Sequence, residues 1–399
     1  MLTQAQAIAG EIIRLRRDIH QHPELSFQEY RTAALVADTL TEIGGIEIQT
    51  GVGRTGVVGQ IGREEGPIIA IRADMDALPI TESTGLPFSS QNTGAMHACG
   101  HDAHTAILLG AAHLLRQSFA DESWRGGVRF LFQPSEESSD AQGISGATAM
   151  IADGALAGVD AVIALHVASD YPAGKLYFQN GYSLAAVDPF EAWIRGDGGH
   201  GAYPHNGSDP LYMLGPILTA LYAIPSRRIN PLKPCVVSLG QVSGGDVHNV
   251  IPNEVRLKGT IRSHDEETRR RLWREIEAAL RLSEAMGGGY TLEISEGYPA
   301  LYNDPEVNGW MRSAAQALAG PEAVVDAQFG MGAEDFAYMA RQARGAMFML
   351  GAAPADGMVR HHHTSSFDVD ESVLALGAAV LAETARRFVT GQLPNARPD

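Results

Sequence analysis

Only two cysteines, Cys99 and Cys235, occur in 399 residues, and they lie in unrelated local contexts. That excludes a secreted, disulfide-dense framework and makes a reducing compartment the simpler expectation. Basic residues are also scarce, with 30 Lys+Arg against 47 Asp+Glu and a formal charge of −17. Such a chain repels phosphate backbones and anionic lipid on average, so neither nucleic acid nor a membrane is an expected partner. No apolar run approaches the roughly 18–20 residues of a membrane span; even residues 106–117 carry His113 and Arg116. The amino terminus lacks a basic start followed by an apolar core and reads as an amphipathic helix ending before Pro23. The expected location is the cytoplasm.

What is abundant is apolar: 45% of residues are hydrophobic. At about 100–200 residues per domain, the length suggests two domains, each able to bury its own core. Four short apolar runs read as buried strands, and each leads directly into residues suited to chemistry. Residues 67–72 lead to Asp74 and Asp76, 128–132 to Glu136 and Glu137, 161–165 to His166, and 346–350 to a loop with His361, His362 and His363. Helical patterns between them, such as 105–116, predict an α/β sheet with crossover connections. Ligands bind beyond the carboxyl ends of such strands, so the polar residues are expected to share one site.

From about 188 to 298 the texture changes to alternating strands. The order there is strand (189–195), helix (210–224), strand (235–242), strand (254–262), helix (266–286), strand (290–296). This is the βαββαβ order of a ferredoxin-like α+β module, and it predicts an inserted domain, 188–298, splitting a larger domain into 1–187 and 299–399. Leu272, Ile276, Ala279 and Leu280 form the apolar stripe of the longer helix, and Arg269 to Arg271 read as its solvated face. Cys235 reads as a core residue.

The densest chemical cluster is Met96-His-Ala-Cys-Gly-His-Asp-Ala-His104. Gly100 between Cys99 and His101 permits a turn that aims a thiolate and an imidazole at one cation, and Asp102 and His104 open the next helix. Adjacent Glu136 and Glu137 would point in different directions, one toward a metal and the other toward substrate as a general base. Read singly, each has a plainer explanation: a capping residue, a loop carboxylate, a core histidine. The explanation weakens when so many converge on strand ends.

Assembled, these residues closely resemble the aminoacylase/carboxypeptidase family of two-metal peptidases, and within it the hippurate hydrolases, N-acyl-amino-acid amidohydrolases and indole-acetyl-amino-acid hydrolases. The marks are Arg16 to Leu25, Arg72-Ala-Asp-Met-Asp-Ala-Leu-Pro79, Met96 to His104, Phe132-Gln-Pro-Ser-Glu-Glu137, Gly198 to His205, Asn249-Val-Ile-Pro252, Gly332-Ala-Glu-Asp-Phe336 and Phe367 to Glu371. They span nearly the whole chain.

The resemblance implies a zinc-peptidase-like catalytic domain with a mixed sheet, interrupted by a smaller dimerisation or lid domain. It implies two divalent metal ions per subunit (Zn, Mn, Co or Ni) held by Cys99, His101, Glu137, His166 and a last histidine. His363 fits that role best, four residues before Phe367, with His361 and His362 as the other candidates. Glu136 would be the general base, His200 an oxyanion stabiliser, Asn249 and Arg262 the residues that approach a substrate carboxylate, and Asp76 and His104 supports. The implied reaction is hydrolysis of a small N-acyl-L-amino acid by a homodimer or higher homo-oligomer, with a carboxypeptidase or dipeptidase acting on short peptides as the alternative. Related carboxypeptidases carry His-x-Asp where this chain has Asp74-Met75-Asp76, which points to the cysteine-containing metal set.

Overall fold

The computed structural model describes residues 1–63 and 65–393, and these form two compact units. The first comprises residues 1–181, 302–328 and 335–393; the second comprises 182–301 and 329–334. The chain therefore leaves the first unit at Gly181 and returns at Tyr302, where the sequence reading set the joints at 188 and 298.

In the first unit the described residues build an eight-stranded mixed sheet. Its spatial order is Glu47–Val52, Gly56–Gly62, Gly127–Gln133, Ile68–Asp74, Ala161–Pro172, Arg344–Ala353, Leu176–Phe178, Val324–Asp326. The central strands Gly127–Gln133, Ile68–Asp74, Ala161–Pro172 and Arg344–Ala353 pair in parallel. Strand Ile68–Asp74 is buried along its whole length, as expected for a central strand covered on both faces. Ile69, Ile71, Phe130, Phe132, Ile163, Leu165 and Phe348 join residues of helices His101–Asp121 and Leu374–Val389 in one core. The expected helix over 105–116 is longer, His101–Asp121, and residues from His101 to Ala112 are buried on every face.

The second unit contains a four-stranded antiparallel sheet in the order Cys235–Ser243, Glu254–Ser263, Ala186–Arg195, Gly289–Ile294. Helices Pro210–Arg227 and Glu266–Leu280 supply Leu221, Leu272 and Ile276 to a core with Phe190, Ile194, Leu257 and Ile261. Strand and helix order are those of the ferredoxin-like module. One expectation fails here. Arg269 is buried rather than solvated, because its guanidinium pairs with Asp188 on the first strand and donates to the Gly297 carbonyl at 2.9 Å. Trp273 Nε1 and the Gly297 amide donate to the same carboxylate at 2.9 and 3.0 Å. A helix face read as charged thus carries one arginine inward, compensated by a carboxylate that lies 81 residues away in sequence.

Candidate active site

Strand ends and one helix start deliver the cluster in the first unit. Gly100 is left-handed at φ +98° and forms the N-cap of helix His101–Asp121. A Cβ there would lie 2.3 Å from Val167 Cγ2, so the turn between Cys99 and His101 requires glycine. Past strand Gly127–Gln133, Ser135 takes φ +46° and turns the chain into Glu136 and Glu137. His166 lies within strand Ala161–Pro172 rather than after it. The neighbouring strand Ile68–Asp74 pairs only up to Ala164, so His166 stands beyond that pairing. His363, also left-handed at φ +61°, is tied by its amide to the Ala98 carbonyl at 2.8 Å.

Asp76 organises this ground. Its Oδ1 accepts from the Glu136 amide at 3.0 Å, and its Oδ2 accepts from the Glu137 amide at 3.1 Å and from Ser26 Oγ at 2.7 Å. The Asp76 backbone carbonyl takes the proton of His101 Nδ1 at 2.8 Å. That bond anchors the ring, leaving His101 Nε2 buried and without a hydrogen-bond partner, 3.5 Å from Asp74 Oδ2, 3.8 Å from Glu137 Oε1 and 4.0 Å from Glu136 Oε2. A histidine anchored through one nitrogen and bare at the other has the arrangement of a metal ligand. His166 is likewise anchored through Nδ1, on the Val167 carbonyl at 2.7 Å, and its Nε2 meets Cys99 Sγ at 3.5 Å.

His104 differs. Its Nδ1 bonds Asp74 at 2.6 Å and its Nε2 accepts the Val167 amide at 2.9 Å, so both nitrogens are spent and it can only support. Burial, aided by His166, holds its pKa down to about 4 against Asp74, in keeping with a neutral ring. Asp102, in the same helical turn, bonds Arg16 at 2.8 Å and His20 at 2.7 Å.

Among the groups of ligand-type atoms within 4.8 Å of one another are Cys99–Glu137–His363, Cys99–His166–His362, His101–Glu136–Glu137, His101–His104–His166 and Glu136–Glu334–Asp335. Of the three carboxyl-terminal histidines, His363 reaches Glu137 at 3.3 Å. His362 packs beside His166, with ring centroids 5.2 Å apart. Burial, then Glu137, Glu136 and Asp74, push the Cys99 thiol well above its usual range. Burial opposes charge on His101, yet Asp74, Asp76 and Glu137 raise it to about 10. Both directions report the same excess of buried negative charge. A cation among these atoms relieves it and permits the thiolate, so the donor set fits a metal centre.

His200, Asn249 and Arg262 belong to the second unit. Short strands Gly199–His200 and Val250–Ile251 pair, opposing His200 to Val250, and the Gly201 amide bonds the Asn249 carbonyl at 2.9 Å. His200 and Asn249 are exposed. Arg262, on strand Glu254–Ser263, is half-buried and donates to Thr260 Oγ1 at 3.3 Å, and no carboxylate pairs with it among the described residues. Sequence reasoning missed Glu29, Thr55 and the buried Arg72–Gln133–Asp335 network. Their partners are distant in sequence, and the one available signal was that Arg72, Gln133 and Asp335 fall inside the motifs.

Known proteins resemble this chain along nearly its whole length. A thermostable carboxypeptidase (carboxypeptidase 1) of Saccharolobus solfataricus is 40% identical over 385 residues, covering 94% of this chain and 95% of its own. An N-acetyl-L-cysteine deacetylase of Bacillus subtilis is 40% identical over 384 residues, 95% and 88% of the two chains. The crystal structure of the Bacillus subtilis YXEP protein, a dinuclear metal-binding peptidase, superposes with a TM-score of 0.83 at 35% identity over 96% of this chain and 99% of that one. Residues 70–387 match the model of peptidase family M20/M25/M40, and the chain belongs to that family.

Proposed function

We propose that this protein hydrolyses N-acyl-L-amino acids to a carboxylate and a free amino acid, with Glu136 as general base. The observation that carries this reading is the pinning of the Glu136 and Glu137 amides on Asp76, beside the bare Nε2 of His101. Cys99, Glu137 and His363 would hold one divalent ion and His101 and His166 a second, with Cys99 within reach of both; Zn, Mn, Co and Ni all suit such donors. When bound, such a pair supplies Lewis acidity toward water and toward the scissile carbonyl.

The residues themselves handle the proton and the substrate. Glu136 takes the proton of the attacking water and returns it to the leaving nitrogen, which an amide needs because its amine departs poorly unless protonated. His200 donates to the oxyanion. Arg262, half-buried without a carboxylate partner among the described residues, and Asn249 receive the substrate carboxylate. Against a net charge of −17, this arginine and the metals supply the local positive field that an anionic substrate needs.

The inserted unit would pair two subunits. Leu211 and Tyr222, about three helical turns apart on Pro210–Arg227, are exposed with Tyr212 beside them and support a homodimer, which light scattering of the purified protein tests. The free thiols of Cys99 and Cys235 support a reducing, cytoplasmic setting.

Glu136→Gln in the metal-loaded enzyme should lower kcat by about 10²–10⁴ with metal content unchanged; near-wild-type turnover would rule out Glu136 as the base. A panel of N-acetyl, N-benzoyl and N-indoleacetyl amino acids against dipeptides, with each of the four metals, decides the substrate. The carboxypeptidase-named relative keeps peptide cleavage as the second reading, and faster turnover of dipeptides would establish it.

A further inference from the structure

Three successive amides, those of Ser135, Glu136 and Glu137, each end on a buried carboxylate. Asp76 takes the last two, and Glu29 Oε1 takes the Ser135 amide at 2.9 Å. Glu29 is fully buried. The same Oε1 accepts the Phe27 amide at 2.8 Å, and Oε2 accepts Thr55 Oγ1. Among the described residues, the non-glycine positions with left-handed φ are Phe27, Arg54, Ser135 and His363. Of these, Phe27 and Ser135 donate directly to Glu29, and Arg54 precedes the threonine that does. Sparsely populated backbone persists only where its surroundings over-determine it, and such positions cluster at working sites.

We infer that Glu29 is a positioning residue for this site: by holding the Ser135 amide it fixes the left-handed turn that delivers Glu136. The inference rests on the assignment of Glu136 as general base. Without the acceptor, the buried Ser135 amide and the part-buried Phe27 amide lose their partner, and Ser135 has less to keep it in an unfavourable well. Burial, then the nearby Asp76 charge, push the Glu29 carboxyl up to about 7, so a neutral group is compatible with the pocket. A glutamine can therefore stand in: its carbonyl oxygen accepts both amides, and its NH₂ donates to the Thr55 hydroxyl.

The test uses metal-loaded Glu29→Ala, Glu29→Asp and Glu29→Gln enzymes, with kcat and KM on an N-acyl amino acid, bound metal by elemental analysis, and folding by circular dichroism. Alanine removes the acceptor, and aspartate withdraws it by one methylene. Both should cut kcat roughly 100-fold, the cost of a reacting group misplaced by about 1 Å, with KM within about 3-fold and full metal content. Glutamine should recover kcat to within about 3-fold of wild type. If the alanine protein does not fold, the aspartate protein carries the comparison. Unchanged kcat in the aspartate protein overturns the inference. So does a loss reversed by excess metal, or a glutamine protein as impaired as the aspartate one. Glu136→Gln run alongside keeps the two assignments apart, because activity there removes the base whatever the Glu29 variants do.

Discussion

Replacing Gly100 by alanine should damage both the stability and the metal binding of the first unit, and the structure separates two contributions. The first is conformational. Gly100 sits at φ +98° and ψ 13°, where a side chain costs about 1–2 kcal/mol. The second is steric: the added Cβ would lie 2.3 Å from Val167 Cγ2, on a strand whose backbone is locked into the sheet. Overpacking of that kind costs about 1–3 kcal/mol, giving a total of roughly 2–5 kcal/mol. Gly94 provides the control, since it is left-handed at φ +84° but has open space where its Cβ would go. Gly94→Ala should therefore show the conformational cost alone. Thermal unfolding of the chelator-treated proteins would read this as a fall of roughly 5–15 °C for Gly100→Ala and about 2–6 °C for Gly94→Ala. Reconstituted Gly100→Ala should also bind less metal, because the turn it distorts aims Cys99 and His101. Equal melting temperatures for the two variants, or a full metal complement in Gly100→Ala, would refute the reasoning.

Other outcomes follow from buried charge. Arg269→Met should destabilise the protein by about 3 kcal/mol, the lower end for a broken buried ion pair, because Trp273 and the Gly297 amide still bond Asp188; metal content should not change. An unaltered melting temperature would show that the pair contributes nothing. For Glu29, the carboxyl is raised from 4.5 to about 7 in the fold, so between those values the folded state holds more protons than the unfolded one. Stability contributed by Glu29 is thus present at low pH and falls as pH rises through that window, by on the order of 3 kcal/mol. Melting temperatures of wild type and Glu29→Gln compared from pH 4.5 to 8 should drift apart in the glutamine protein's favour; a pH-independent difference would contradict this.

Much of the site could be read from the chain because the features that carry it are local. Apolar runs that lead into Asp74 and Glu136 mark strand ends, whereas His166 falls inside its strand, and a glycine between Cys99 and His101 marks a turn. Strand and helix periodicity between 186 and 294 is enough to give βαββαβ order, since hydrophobic alternation and the 3.6-residue stripe are properties of the segment itself. Arg269 shows where that stops. Its helix has a proper apolar stripe, yet nothing nearby in sequence announces Asp188, and only the folded sheet brings the carboxylate that makes burial of an arginine tolerable.

The same division runs through the centre of the molecule. Residue types and spacing determined by themselves which side chains could do the chemistry, because a thiolate, three imidazoles and paired carboxylates have few other reasons to crowd strand ends. Tertiary structure alone decided their states. It spends both nitrogens of His104 on Asp74 and Val167, leaves His101 Nε2 bare, brings His363 to Glu137 while His362 packs on His166, and places Glu29 and Asp76 under three consecutive amides. A hydrogen-bond partner or a neighbouring charge is set by atoms that meet only after long loops close, so tautomer, protonation and strain are properties of the packed interior and not of the segment.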